Sequence, residues 1–169
     1  MVKHKMLPLP DANVGEVLGL VEIIYAYGEK VKISFLAEEF RMQLDDLGDV
    51  IDMAELLNLL TVKNGEVQLT VFGEALNLGT IENKKHVLRK RLPKIEPFKS
   101  VLKILKNGEV SSKTIIQKLQ SQKMIIEDEA RFHKLLLTWG GYAEIFEYDG
   151  VTGVFRPIIK PKNDDNSSK

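Results

Sequence analysis

The feature that most constrains this chain is an order of patterns that occurs twice: three apolar stripes at helical spacing, then a hairpin. Asn64-Gly65 lies between two short runs, Leu60–Lys63 and Glu66–Leu69. Both turn residues tolerate positive φ, so the pair predicts a tight β-hairpin. Upstream, Val14, Val17, Leu18, Val21 and Tyr25 recur at helical spacing, and Gly28 ends that stripe. Ser34 is a suitable N-cap for a second helix that turns Leu36 and Phe40 inward. Asp45 or Asp46 caps a third helix over 45–60, with Leu47, Val50, Ile51, Ala54 and Leu57 inward. After the hairpin, Thr70 caps a short helix that ends near Asn77.

The order then repeats beyond a basic helix expected over Ile81–Leu92 and stopped by Pro93. Pro97 suits a helix start, Phe98, Val101, Leu102 and Leu105 form the stripe, and Asn107-Gly108 ends it. Ser111 or Ser112 caps a second helix with Ile115, Ile116 and Leu119. A third helix over 127–139 buries Phe132, Leu135, Leu136 and Trp139, and Gly140-Gly141 breaks it. Strands over 143–148 and 154–159 close the pattern. The fold class expected is mainly α with small β-hairpins (α+β): tandem winged-helix-like units joined by a helix. The units span 11–79 and 95–159, the connector 80–94, and a polar tail over 160–169 is expected to be disordered. The two copies share pattern and almost no sequence identity.

Chemistry is constrained mainly by what is missing. The 169 residues contain no cysteine, which excludes disulfides and thiolate metal sites. Lys113-Thr114 is preceded by Ser112 and has no glycine five residues earlier, so it is not a phosphate-cradling loop. His4, His86 and His133 have no partner at ligand spacing, and His133, beside Lys134, is expected at the surface. Neither a serine nucleophile elbow nor a calcium loop is present. No catalytic residue, cofactor or metal is expected. No apolar run reaches the length of a signal peptide or a membrane span, so the expected location is cytoplasmic.

Zero net charge hides a division. Residues 1–82 hold 6 Lys/Arg against 14 Asp/Glu, and residues 83–169 hold 18 against 10. Halves of net −8 and +8 can contact one another, take different partners or self-associate. Asp45, Asp49, Asp52 and Glu55 share a face of the acidic third helix, which carries no basic residue over 45–60 and would be repelled by a DNA duplex. That face suits a basic protein surface, against the plainer alternative of a solvated face. Lys84, Lys85, Arg89, Lys90, Arg91 and Lys94 form the opposite feature, a candidate anion or nucleic-acid patch on the connector. Its plainer alternative is a helix that faces the acidic half of the same chain. Weak, salt-sensitive nucleic-acid binding is the most that patch implies. Trp139 and Tyr142 flank two glycines and are expected to anchor the second hairpin in the core.

Several stretches together resemble a known family. Leu9-Pro10 with Val14-Gly15-Glu16-Val17-Leu18-Gly19-Leu20-Val21-Glu22 resembles the opening of the AAA-associated C-terminal domain. That domain follows the ATPase in some ABC transporter ATP-binding subunits of the nitrate/sulfonate/bicarbonate type. Leu44-Asp45-Asp46-Leu47, Ala54-Glu55-Leu56-Leu57, and Leu69-Thr70 with Gly73 and Ala75 resemble its middle. Trp139 to Asp149, then Thr152-Gly153-Val154-Phe155, resembles its ending, so the likeness covers about residues 7–157. The resemblance implies a non-enzymatic accessory or regulatory module that binds protein, with the ABC transporter ATP-binding subunit as candidate partner. It transfers no catalytic residue, and the 169 residues do not include the ATPase, as in a stand-alone relative acting in trans or a fragment. A DNA-binding transcriptional regulator of winged-helix type is the alternative.

Overall fold

The computed structural model describes residues 5–7, 9–28 and 30–159, the first three by backbone alone. The disordered tail expected over 160–169 lies outside the described residues. Helix α1 (Val14–Tyr27) buries Val17, Leu20, Val21 and Ile24 and starts at a capping box. There Asn13 Oδ1 accepts from Glu16 N while Glu16 Oε2 accepts from Asn13 N, each at 2.9 Å. Strand β2 (Val31–Lys32) runs straight into α2 (Ile33–Phe40). Ser34 therefore lies inside the helix and is not its cap. The start is set instead by pairing of β2, and Ile33 N donates to Gly65 O at 3.0 Å.

Helix α3 (Leu44–Leu56) packs on α1 and is followed by β3 (Leu60–Lys63) and β4 (Glu66–Leu69). Gln43 holds the cap position of α3, and Asp45 and Asp46 lie in its first turn. Their charges there complement the positive end of the helix. The helix ends before the expected Leu60 because Asn58 takes φ 56° and the chain enters β3. Asn64 and Gly65 adopt φ 54° and 73°, as a tight hairpin requires. Strand order in this sheet is β2-β4-β3, all antiparallel. Helix α4 (Val71–Leu76) begins at Thr70, whose Oγ1 accepts from Phe72 N and Gly73 N at 3.2 Å.

Helix α5 (Ile81–Arg91) passes into a 3-10 turn over Leu92–Lys94 and then α6 (Phe98–Leu105). The second sheet repeats the first: β5 (Val110–Ser111), β7 (Phe146–Asp149) and β8 (Val154–Pro157) in order β5-β8-β7. Between them stand α7 (Ser112–Ser121), capped by Ser111, and α8 (Glu129–Leu135), capped by Asp128. A further strand, β6 (Met124–Ile126), pairs in parallel with β1 (Lys5–Leu7). The described chain is thus mainly helical with two small antiparallel sheets.

The helix expected over 127–139 differs at both ends, beginning only at Glu129 behind the Asp128 cap and running on past Trp139. Gly140-Gly141 do not break it: α8 continues through a π turn over Leu136–Gly140 into α9 (Gly141–Ala143), and the chain leaves only at Glu144, with φ 54°. Glycine permits many conformations and forbids none, so the pair signalled something other than a stop. A Cβ at Gly140 would overlap the Phe146 ring. The glycine is the socket into which the hairpin's first aromatic seats. Buried side chains from both halves, Leu20, Met53, Leu88, Phe98, Trp139 and Phe155 among them, belong to one connected core.

Candidate functional site

Alternation of buried and exposed residues along α3 determines what its outer face carries. Leu47, Val50, Ile51, Met53 and Ala54 are buried. Asp45, Asp52 and Glu55 are exposed and Asp49 half-buried on the other side. No Lys, Arg or His nitrogen lies within 4.0 Å of Asp45, Asp46, Asp49 or Asp52 among the described residues. The described carboxylates and histidines form no group able to hold a metal ion. Glu55 stands apart from its neighbours, because its Oε1 accepts from Val62 N at 3.1 Å and ties α3 to the hairpin. Two apolar residues frame the acidic stripe, Leu44 at 61% and Leu56 at 45% exposure. Leu56 follows Asp52 by one helical turn. Counting only inward apolar positions overlooked both; their sign in sequence is a leucine out of phase with the buried stripe.

The basic connector is used quite differently. Lys84 pairs with Glu22 of α1, and Lys85 with Glu144 beyond α9. Arg89 donates from Nη2 to Glu144 at 2.9 Å and to Glu82 at 3.3 Å, and from Nε to Ala143 O at 2.8 Å. Arg91 donates from Nε to Leu57 O at 2.8 Å, and its guanidinium lies 4.6 Å from the Phe72 ring centroid. Four of the six patch residues therefore hold the chain to itself, two toward each half. Lys90 and Lys94 are exposed, and among the described residues neither has a carboxylate within 4.0 Å. Hydrogen bonding to Lys85, with attraction from Lys85 and Arg89, holds the Glu144 carboxyl below its ordinary range. The same bond to Glu144 raises Lys85.

A groove of about 620 Å³ opens between the segment before α1 and helix α8. Leu9, Ala12, Phe132 and Trp139 give it an apolar floor, and Asp11, Arg131 and Lys134 bring both signs of charge to its walls. Trp139, 1% exposed, donates from Nε1 to Ala12 O at 3.1 Å. It is a core residue, as expected, and it also fastens the start of the first unit to the second. Arg131 adds a 3.3 Å bond to Leu9 O and faces Asp11 at 3.7 Å. His133 is a departure from the expected surface position. It is half-buried, with Nδ1 2.9 Å from Ser112 Oγ, and its ring meets Tyr148 and Phe155 edge-on at 5.1 and 5.7 Å. Its position one turn below Leu136 on the inward side of α8 was legible only once the helix phase was known.

No helix of the described residues is long and apolar enough to cross a membrane. No curated protein and no solved structure matches the chain. A family model described as the C-terminal AAA-associated domain matches residues 35–149, from α2 through the end of β7. The match takes in the acidic helix, the connector, the π turn with Gly140 and the strand that seats against it. It spans more than half of the chain, which belongs to the C-terminal AAA-associated domain family.

Proposed function

We propose that this chain is a non-enzymatic accessory module that docks on the ATP-binding subunit of an ABC transporter through the outer face of α3. One observation carries the reading: a stripe of aspartates, without cationic partners among the described residues and framed by exposed Leu44 and Leu56. Carboxylates around exposed leucines supply the charged rim and apolar contacts of a protein interface. They repel nucleic acid. Family membership supports the choice of an ATPase-linked partner. The two units are read as winged helices put to protein contact, a reading supported by the strand orders β2-β4-β3 and β5-β8-β7. Operator recognition is disfavoured, since Glu127, Asp128 and Glu129 crowd the start of the third helix of the second unit and most connector cations are engaged.

The test is association with the ATP-binding subunit from the native cell, measured at low and high salt. Asp49→Lys with Asp52→Lys should reduce the association rate by about tenfold or more and leave dissociation nearly unchanged. An unchanged association rate would remove α3 as the face, and absence of the subunit from gentle, low-salt purifications would remove the partner. For DNA, the informative substitutions are Lys90→Ala and Lys94→Ala, because changing Arg89 or Arg91 also breaks bonds within the chain.

A further inference from the structure

The positive charge of the second half is not spent where the sequence concentrates it. Four connector cations are engaged within the chain, while among the described residues Lys90, Lys94 and a lysine group just downstream have no carboxylate partner. Over 90–106 the chain carries Lys90, Arg91, Lys94, Lys99, Lys103 and Lys106 against Glu96 alone. Arg91 is tied to Leu57 and Phe72. Glu96 is committed to α6, where its Oε2 accepts from Ser100 N at 3.2 Å. The five lysines are all exposed, and among the described residues none has a carboxylate within 4.0 Å. Lys99, Lys103 and Lys106 follow one another at helical spacings of four and three, so they line one side of α6. The opposite side is the buried one, with Phe98, Val101, Ile104 and Leu105. The 3-10 turn contacts both α5 and α6, so Lys90 and Lys94 lie on the segment that leads directly into the α6 stripe.

We propose that this lysine face binds an anionic lipid bilayer surface peripherally. Its chemistry fits a diffuse array of phosphates and carboxylates better than a patterned one. All five groups are lysine, a compact point charge without the planar fork that reads a specific oxyanion. No large hydrophobic residue among 90–106 is exposed, so nothing inserts and attraction is electrostatic. A duplex fits less well, because the stripe lies on the first helix of its unit while the third, α8, starts at Glu129 with Glu127 and Asp128 just before it. The acidic half is repelled by the same surface, so the molecule lies with its lysines on the lipid and the α3 aspartates turned outward. This goes beyond the docking reading and uses the other half of the chain, so either can fail alone.

The experiment is flotation of the full chain with unilamellar vesicles of phosphatidylcholine alone or with about 30 mol % phosphatidylserine. Binding is expected to the anionic vesicles only, and to be lost when salt shortens the screening length toward about 3 Å. Each lysine near such a surface changes affinity about fivefold, so Lys99→Gln, Lys103→Gln and Lys106→Gln together should weaken it about a hundredfold. The corresponding triple arginine variant should bind as the parent does. Circular dichroism of both variants checks that the fold is kept. Equal binding to neutral vesicles, no binding to anionic vesicles at low salt, an unaffected glutamine variant, or a folded arginine variant that fails to bind would each overturn the proposal. So would tighter binding to duplex DNA than to anionic vesicles in the same buffer.

Discussion

Two glycines hold positions that a single methyl group would spoil. At Gly73 a Cβ would overlap the carbonyl oxygen of Leu59. That oxygen cannot withdraw cheaply, because it accepts from Thr70 N at 3.0 Å, beside the cap of α4. Gly73→Ala should therefore destabilise the protein by about 1–3 kcal/mol, read as a lowered denaturant midpoint. An unchanged midpoint would mean that α4 shifts freely on the hairpin. At Gly140 the obstacle is the ring of buried Phe146, which can tilt only against Phe155, 5.2 Å away edge-on. Sequence marked both glycines, one within a family-like stretch and one as a supposed helix breaker. It held no sign of the partners that make them necessary, since Leu59 and Phe146 meet them only after the chain has folded back. The single-residue features that hold, Thr70, Asn64-Gly65 and Ser111 as one of two candidate caps, have partners within three positions.

Elements follow the same rule. Helix α1 was legible because it carries an apolar phase, although Tyr25 of the expected stripe is exposed, and α5 was legible because Pro93 marks where it stops. The strands β2 and β5 are two residues long and show no alternation to read; they exist because β4 and β8 offer them an edge. Helix α5 was legible as basic, and contact with the acidic half of the chain was one of its two readings, but its particular partners were not legible, because Glu22 and Glu144 lie 62 and 59 positions from Lys84 and Lys85. The Lys85–Glu144 tie between α5 and the end of α9 makes an acid-sensitive joint. The Glu144 carboxyl is held below its ordinary 4.5, so its contribution is full above that value and is lost as pH falls through the lower folded value. Asp149 acts in the same direction, chiefly through bonds from the Thr152 and Val151 amides. Glu144→Gln should make the parent's loss of stability below about pH 4.5 shallower, and an identical acid limb in the variant would exclude this joint. Lys85, raised from 10.5, adds a second limb: its contribution is present below that value and fades in stronger alkali.

Across the whole molecule, division of charge was legible from composition, and its allocation was not. Counting could not tell cations that hold the chain together from cations left facing solvent. Helix phase and exposure separate them: Lys84, Lys85, Arg89 and Arg91 belong to the first group, and the α6 stripe belongs to the second. One connected core containing Leu20 and Met53 from the first half and Phe98 and Phe155 from the second predicts cooperative unfolding. Trp139 is the only tryptophan, placed where α8 meets the segment before α1, so its fluorescence reports that seam. Fluorescence and far-ultraviolet dichroism should trace the same denaturant transition. Loss of the fluorescence signal at lower denaturant would show the halves separating before either melts.

The bond from Trp139 to Ala12 joins residues 127 positions apart, and that span fixes how the molecule carries mechanical load. Tension applied at residue 9 would not pass first into α1, the next helix along the chain. It would arrive at Arg131 and Trp139, which grip the Leu9 and Ala12 carbonyls from α8 and its π turn. The first unit sits inside a closed loop, shielded from pull until those two grips let go. A partner tugging on this end of the chain would thus address the far half of the molecule through these two bonds.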